Sequence, residues 1–157
     1  MNEDLLRTIS NELKKKNLTI ATAESCTGGL VAHQLTNISG SSEYFERGVV
    51  SYSNKSKIEM LDVPKETLEQ YGAVSKEIAQ AMAQGIKNKS QVDIGISTTG
   101  VAGPTGGTKE KPVGLVYIGI AKENYVDVKR FLFTGNRIQN KEKTCHEVLH
   151  FILETIT

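Results

Sequence analysis

Cysteine is scarce in this chain. Cys26 and Cys145 stand far apart and in no C-x-x-C pattern. That excludes a disulfide framework and points to a reduced, cytosolic setting. Excess charge is also missing: 19 Lys and Arg face 18 Asp and Glu, a formal net charge of +1. No global field therefore recruits nucleic acid or an anionic membrane. Long apolar runs are absent, so nothing approaches the length of a bilayer span. Residues 1–16 are charged and amphipathic, without the continuous apolar segment of a signal peptide. The expectation is a soluble, cytoplasmic chain with neither nucleic-acid nor membrane partners. No internal repeat and no low-complexity tract interrupts it. Metal clusters are lacking too. His33 has no ligand partner at metal spacing. His146 and His150 have the i, i+4 spacing of a metal pair, but with no Glu or Cys completing a site they read as exposed helix residues. No metal and no organic cofactor is expected.

What is present suits one domain over residues 1–157, long enough to bury a core. Leu5, Leu6, Ile9 and Leu13 form the apolar stripe of a helix over 3–16. An apolar, β-branched strand over 18–23 follows, then a helix from about Thr27 to Thr36. Residues 37–42 read as a loop, and the second half of 44–52 as a strand ending at Ser53-Asn54, good N-cap residues for a helix through Lys57–Leu61. Further helices are expected over 65–70, stopped by Gly72, and over 76–89, with Ser75 as N-cap. A buried strand over 92–99 runs into a glycine-rich loop, 100–107. Strands over 114–121 and 125–134 form a hairpin, and a last helix covers 138–157. This alternation predicts a three-layer α/β/α domain with a mixed, mostly parallel sheet.

Chemistry gathers at the strand ends. Residues 22–30, T-A-E-S-C-T-G-G-L, place Ser25 and Cys26 where a nucleophile would sit. Helix-start N–H groups there suit an anion or a developing oxyanion. Gly28 and Gly29 allow close approach of a ligand to the backbone, although Ser, Thr and Glu before a helix are also ordinary capping residues. Tyr52 falls at the end of the second strand. Lys57 falls early in the next helix, where the dipole lowers its pKa, as a general base requires. After Thr99, the loop G-V-A-G-P-T-G-G (100–107) fits neither a Walker loop nor G-x-G-x-x-G, yet it can line a ligand cleft with Gly100 and Gly103. Arg137, at the break before the last helix, can clamp a phosphate or carboxylate bidentately. Ligands of open α/β sheets bind beyond the carboxyl ends of the strands, where these residues would meet.

Six segments stand in register: A-E-S-C-T-G-G (23–29), Y-S-N-K-S-K (52–57), Y-G-A-V-S (71–75), T-G-V-A-G-P-T-G-G (99–107), K-P-V-G (111–114) and G-N-R (135–137). Together they resemble the CinA C-terminal family of nicotinamide mononucleotide deamidases, in its stand-alone form. The resemblance covers nearly the whole chain. It implies an amidohydrolase of pyridine-nucleotide salvage and NAD metabolism. The reaction would convert nicotinamide mononucleotide to nicotinic acid mononucleotide and ammonia, without a cofactor. It also implies catalytic roles for Ser25, Tyr52 and Lys57: Ser25 as nucleophile, Lys57 as base, Tyr52 orienting or relaying the proton. Arg137 would meet the 5′-phosphate, Thr99 would line the pocket, and the chain would form a homodimer. Two positions depart from the family pattern, Asn136 for the usual aspartate and Lys141 for the usual arginine. Two other readings are a non-catalytic nucleotide-binding or regulatory module and a cysteine enzyme built on Cys26.

Overall fold

In a computed structural model describing residues 2–157, side-chain alternation along the strands sorts the helices into two layers. The strands are β1 (Ile20–Glu24), β2 (Phe45–Val50), β3 (Ile94–Gly100), β4 (Leu115–Lys122) and β5 (Tyr125–Leu132). The helices are α1 (Glu3–Lys15), α2 (Leu30–Leu35), α3 (Asn54–Leu61), α4 (Lys65–Tyr71), α5 (Lys76–Ser90) and α6 (Arg137–Ile156). Ile20, Ile94, Ile96, Val116, Ile118 and Ile120 pack on one face against apolar residues of α1, α2 and α6. Ala21 and Ala23 point the other way, into a second cluster with Leu61, Leu68, Ile78, Met82 and Ile86 of α3, α4 and α5. The result is the expected three-layer domain.

The sheet has the order β2-β1-β3-β4-β5. β1 pairs parallel with both β2 and β3, while β3–β4 and β4–β5 are antiparallel. Four strands therefore run one way and β4 alone runs against them. Helix α5 lies unusually close to the sheet. A Cβ on Gly95 would sit 2.2 Å from the Ala83 carbonyl oxygen, and one on Gly119 would sit 2.6 Å from that of Ala79. Only glycine permits this approach. No helix among the described residues is long and apolar enough to cross a membrane.

Several boundaries shift from expectation for local reasons. Residues 25–29 form a turn, and α2 starts at Leu30 because Gly28 (φ 61°) and Gly29 (φ 104°) adopt left-handed conformations. A short 3-10 turn, Ser41–Glu43, lies in the region read as loop. Helix α6 starts at Arg137, one residue early, because Asn136 caps it. The Asn136 side chain accepts from Gln139 N–H, and the Gln139 side chain accepts from Asn136 N–H. Asparagine caps about as well as aspartate, so this departure from the family pattern leaves the helix start intact.

Strand order fixes where a site can form. The chain leaves β1 through α2 on one face to reach β2, then crosses back on the opposite face through α3–α5 to reach β3. The connections diverge at the carboxyl ends of β1 and β3, the topological switch point of the sheet.

Candidate active site

Ser25 is the first residue after β1. Its N–H donates to the Thr98 carbonyl of β3 at 3.0 Å, which seats it at the switch point. Its side chain follows Ala23 in the alternation, toward the α3–α5 layer, and is only 8% exposed. Lys57 comes down on it from α3. Ser53 caps that helix by accepting from Ser56 N–H, in a reciprocal capping box. This start places Lys57 one turn into α3, on its inner side. The lysine is 1% exposed, one of the largest fully buried side chains of the protein, whereas neighbouring Lys55 is exposed and faces Glu59.

The Lys57 ammonium has three neighbours. Its Nζ lies 3.1 Å from Ser25 Oγ, 2.9 Å from the Ser51 carbonyl and 3.1 Å from the Tyr52 carbonyl. Carbonyl oxygens only accept, so in the neutral amine both N–H groups are spent on Ser51 and Tyr52. The lone pair is then left facing the Ser25 hydroxyl. Burial lowers the pKa of Lys57, and Cys26 opposes this only as a thiolate. The direction matches the sequence expectation, but desolvation, not the helix dipole, is the leading cause.

Cys26 itself is no nucleophile here. Burial pushes its thiol up to about 12, only partly offset by hydrogen bonds from Thr98 and from its own backbone. A reactive cysteine needs the opposite shift. The helix-dipole argument for Cys26 fails because desolvation outweighs it.

Tyr52 is divided between two places. Its carbonyl holds Lys57, but its side chain is 59% exposed, and its hydroxyl accepts from Arg137 Nη2 at 3.0 Å. The phenol is thus aimed at the rim and not at the Ser25–Lys57 pair. Arg137 Nη1 also donates to the Gly103 carbonyl at 2.7 Å, bridging the β2–α3 and β3–β4 loops. Lys141, one turn further along α6, stands over the turn. A Cβ on Gly28 would lie 3.5 Å from its Nζ, and it has no ion-pair partner among the described residues.

Two expected pocket residues turn out to do structural work. Thr99 is buried, and its hydroxyl donates to the Ala73 carbonyl at 2.7 Å, tying β3 to the segment before α5. A Cβ on Gly100 would meet the Leu115 carbonyl at 2.6 Å, so that glycine serves strand packing. Gly28 and Gly29 shape the turn beside Ser25.

Glu24 corrects the picture of free helix-start donors. Buried at 1% exposure, its carboxylate accepts from Val31 N–H at 2.8 Å, Ala32 N–H at 3.1 Å and the Thr27 hydroxyl at 2.5 Å. The first-turn donors of α2 are therefore consumed by the chain's own carboxylate. The N–H of Cys26 turns toward its own sulfur, and that of Thr27 has no hydrogen-bond partner among the described residues. Glu24→Ala would strand these buried donors. It is expected to destabilise the fold by about 2–5 kcal/mol, read as a lower urea midpoint with unchanged slope. Glu24→Gln, which keeps one acceptor, should recover part of that loss.

Asn140 was not singled out from sequence. It is 1% exposed, and it accepts from Gly135 N–H at 3.0 Å while donating to the Ala102 carbonyl at 3.0 Å. Together with Arg137 it clamps the start of α6 onto the loop after β3. The available signal was a polar residue on the inner stripe of α6, one turn before Thr144 and two before Val148, all buried.

Comparison with known proteins places the chain in a family. Residues 2–156 match the CinA C-terminal domain. A putative competence-damage inducible protein of Caldicellulosiruptor saccharolyticus is 49% identical over 155 residues, covering 99% of this chain and 38% of the relative. One from Clostridium botulinum strain Langeland is 56% identical over 144 residues, 92% of this chain and 35% of the relative. The chain thus spans little more than a third of the length of these curated relatives. Among solved structures, a competence/damage inducible protein of Agrobacterium tumefaciens superposes with a TM-score of 0.94 at 40% identity, covering 97% of this chain and 93% of that one. A CinA superfamily protein of Klebsiella pneumoniae gives a TM-score of 0.94 at 30% identity, covering 98% and 96%. With family match, sequence identity and fold in agreement over almost its full length, the chain belongs to the CinA C-terminal domain family.

Proposed function

We propose that this chain is a serine amidohydrolase that hydrolyses the carboxamide of nicotinamide mononucleotide to nicotinic acid mononucleotide and ammonia. The observation that carries this reading is the buried amine of Lys57. Its N–H groups are met by two carbonyls, and its nitrogen lies 3.1 Å from Ser25 Oγ. A binding module has no use for a desolvated lysine held against a serine. The choice of substrate rests on the family resemblance and on the cations Arg137 and Lys141 beside the cleft.

Neutral Lys57 takes the Ser25 proton as Oγ attacks the carboxamide carbon. Charge developing on the carbonyl oxygen is met by backbone donors of the turn after Ser25, with the N–H of Thr27 as the candidate. Lys57, now an ammonium, gives its proton to the departing nitrogen, and ammonia leaves. Water then attacks the Ser25 ester with Lys57 again as base, which frees the carboxylate and restores the serine. Tyr52 supports the base through its carbonyl. Its phenol holds Arg137 at the rim, so the proton-relay role suggested by the resemblance is replaced by one of positioning. The guanidinium keeps further N–H groups for the 5′-phosphate.

The direct test is ammonia release from nicotinamide mononucleotide by the purified chain. Binding without turnover would overturn the reading in favour of a nucleotide-binding module. Arg137→Ala is expected to raise KM for the mononucleotide roughly ten- to a hundredfold, the worth of a charge-assisted contact. KM for nicotinamide riboside, which lacks the phosphate, should change little. Equal losses for both substrates would assign Arg137 to the fold and not to the phosphate.

A further inference from the structure

The sequence reading of His146 and His150 as merely exposed helix residues omits what the fold puts around them. Residues 146–150 read H-E-V-L-H, two imidazoles one turn apart with a glutamate between them. In the structure the two Nε2 atoms lie 3.0 Å apart, within hydrogen-bond distance. Metal–imidazole bonds of about 2.0–2.1 Å at angles of 90–109° require nitrogens about 2.9–3.4 Å apart. The pair is already at that separation. A metal ion bound to both nitrogens would sit off the line between them, each ring tilting its lone pair toward it.

The surroundings favour a cation. A groove of about 1000 Å3 between the start of α1, α2 and α6 is lined by His146 and by Glu3, Asp4, Glu142 and Glu147, against one ammonium, Lys143. Glu3 is paired with Arg7, while Asp4, Glu142 and Glu147 have no ion-pair partner among the described residues. Carboxylates thus border His146, although, as expected from sequence, none completes a site with the pair. Glu142 lies one helical turn before His146 on α6, outside ligand distance of the pair.

We propose that His146 and His150 form a bidentate site for a first-row divalent transition metal, separate from the Ser25–Lys57 cleft. Among the described residues no three ligand side chains are preassembled around one point. The ion would keep open positions for water or an incoming ligand. With nitrogens 3.0 Å apart, close to the cis spacing of a tetragonal ion, the order Cu2+ > Ni2+ > Zn2+ follows.

The test is calorimetric titration of the whole chain with NiCl2 and with CuSO4. One equivalent should bind. His146→Gln and His150→Gln should each weaken that binding roughly tenfold or more, as expected on losing one of two ligands. His33→Gln and Ser25→Ala should leave it unchanged, and circular dichroism of each variant confirms that α6 is intact. Unaltered stoichiometry and affinity in the His146→Gln/His150→Gln double variant would overturn the proposal, as would absence of binding by the parent chain.

Discussion

Ser25→Ala is expected to abolish ammonia release while leaving the fold in place. Loss of a catalytic serine that acts as one unit with its base costs on the order of 10^4–10^6-fold in kcat. The structural cost should be small. Ser25 is seated by its backbone N–H on Thr98, and among the described residues its Oγ hydrogen-bonds only with Lys57. A melting temperature within a few degrees of the parent, with turnover at background, is the outcome to look for in parallel thermal and ammonia assays. Retention of more than about a tenth of the parent kcat would remove Ser25 from the reaction, because no water-mediated bypass is that efficient.

Lys57→Met is expected to lower kcat by on the order of 10^2–10^4-fold, the usual worth of a positioned general base. A Ser25→Ala/Lys57→Met double variant should be no worse than Ser25→Ala alone, since a base without its nucleophile has nothing to activate. The pH dependence gives an independent reading. Burial lowers the Lys57 pKa from its ordinary 10.5, and only the neutral amine accepts the serine proton. Parent kcat/KM should therefore rise with pH along a one-proton limb centred below 10.5, and Lys57→Met should lose that limb. Stability follows the same sign. With the folded pKa below the unfolded one, the unfolded chain holds the proton more tightly, so this group's contribution to stability grows as pH rises between the two values and levels off above the unfolded one. The penalty is complete below the folded pKa. A limb that persists in Lys57→Met would assign the base to another group.

The Ser25–Lys57 pair shows how unevenly a site is written in a sequence. Ser25 was legible because strand, small polar turn and helix follow one another in a short stretch, so local pattern alone places a hydroxyl at a strand end. Lys57 was legible only as a position. Lys55 and Lys57 look alike in composition, and their opposite fates depend on which side of α3 meets β1. That orientation follows from the capping box at Ser53 and from the packing of Leu61 into the α5 layer. Tyr52 drew attention through its phenol, whereas the group that meets Lys57 in the structure is its carbonyl. Its ring turns to Arg137, 85 residues away, a contact no local pattern specifies.

The glutamate in the same motif makes the complementary point. The stretch around Glu24 presents both a capping sequence and a candidate anion site, and the two readings compete for the same N–H groups. Burial on the α2 side of the sheet resolves the competition, because a carboxylate at 1% exposure must be hydrogen-bonded, and the donors of α2 are what lies within reach.

By itself, the sequence determined the succession of helices and strands, the three-layer class, and the strand ends at which chemistry collects. Periodicity, capping and turn residues act over a few positions and need no partner from afar. Only the tertiary structure decided the strand order, with β1 between β2 and β3, and with it the burial of Lys57, its meeting with Ser25, and the bridge from Arg137 to Tyr52 and Gly103. Those contacts join residues tens of positions apart, and desolvation arises only once both layers of helices close over the sheet.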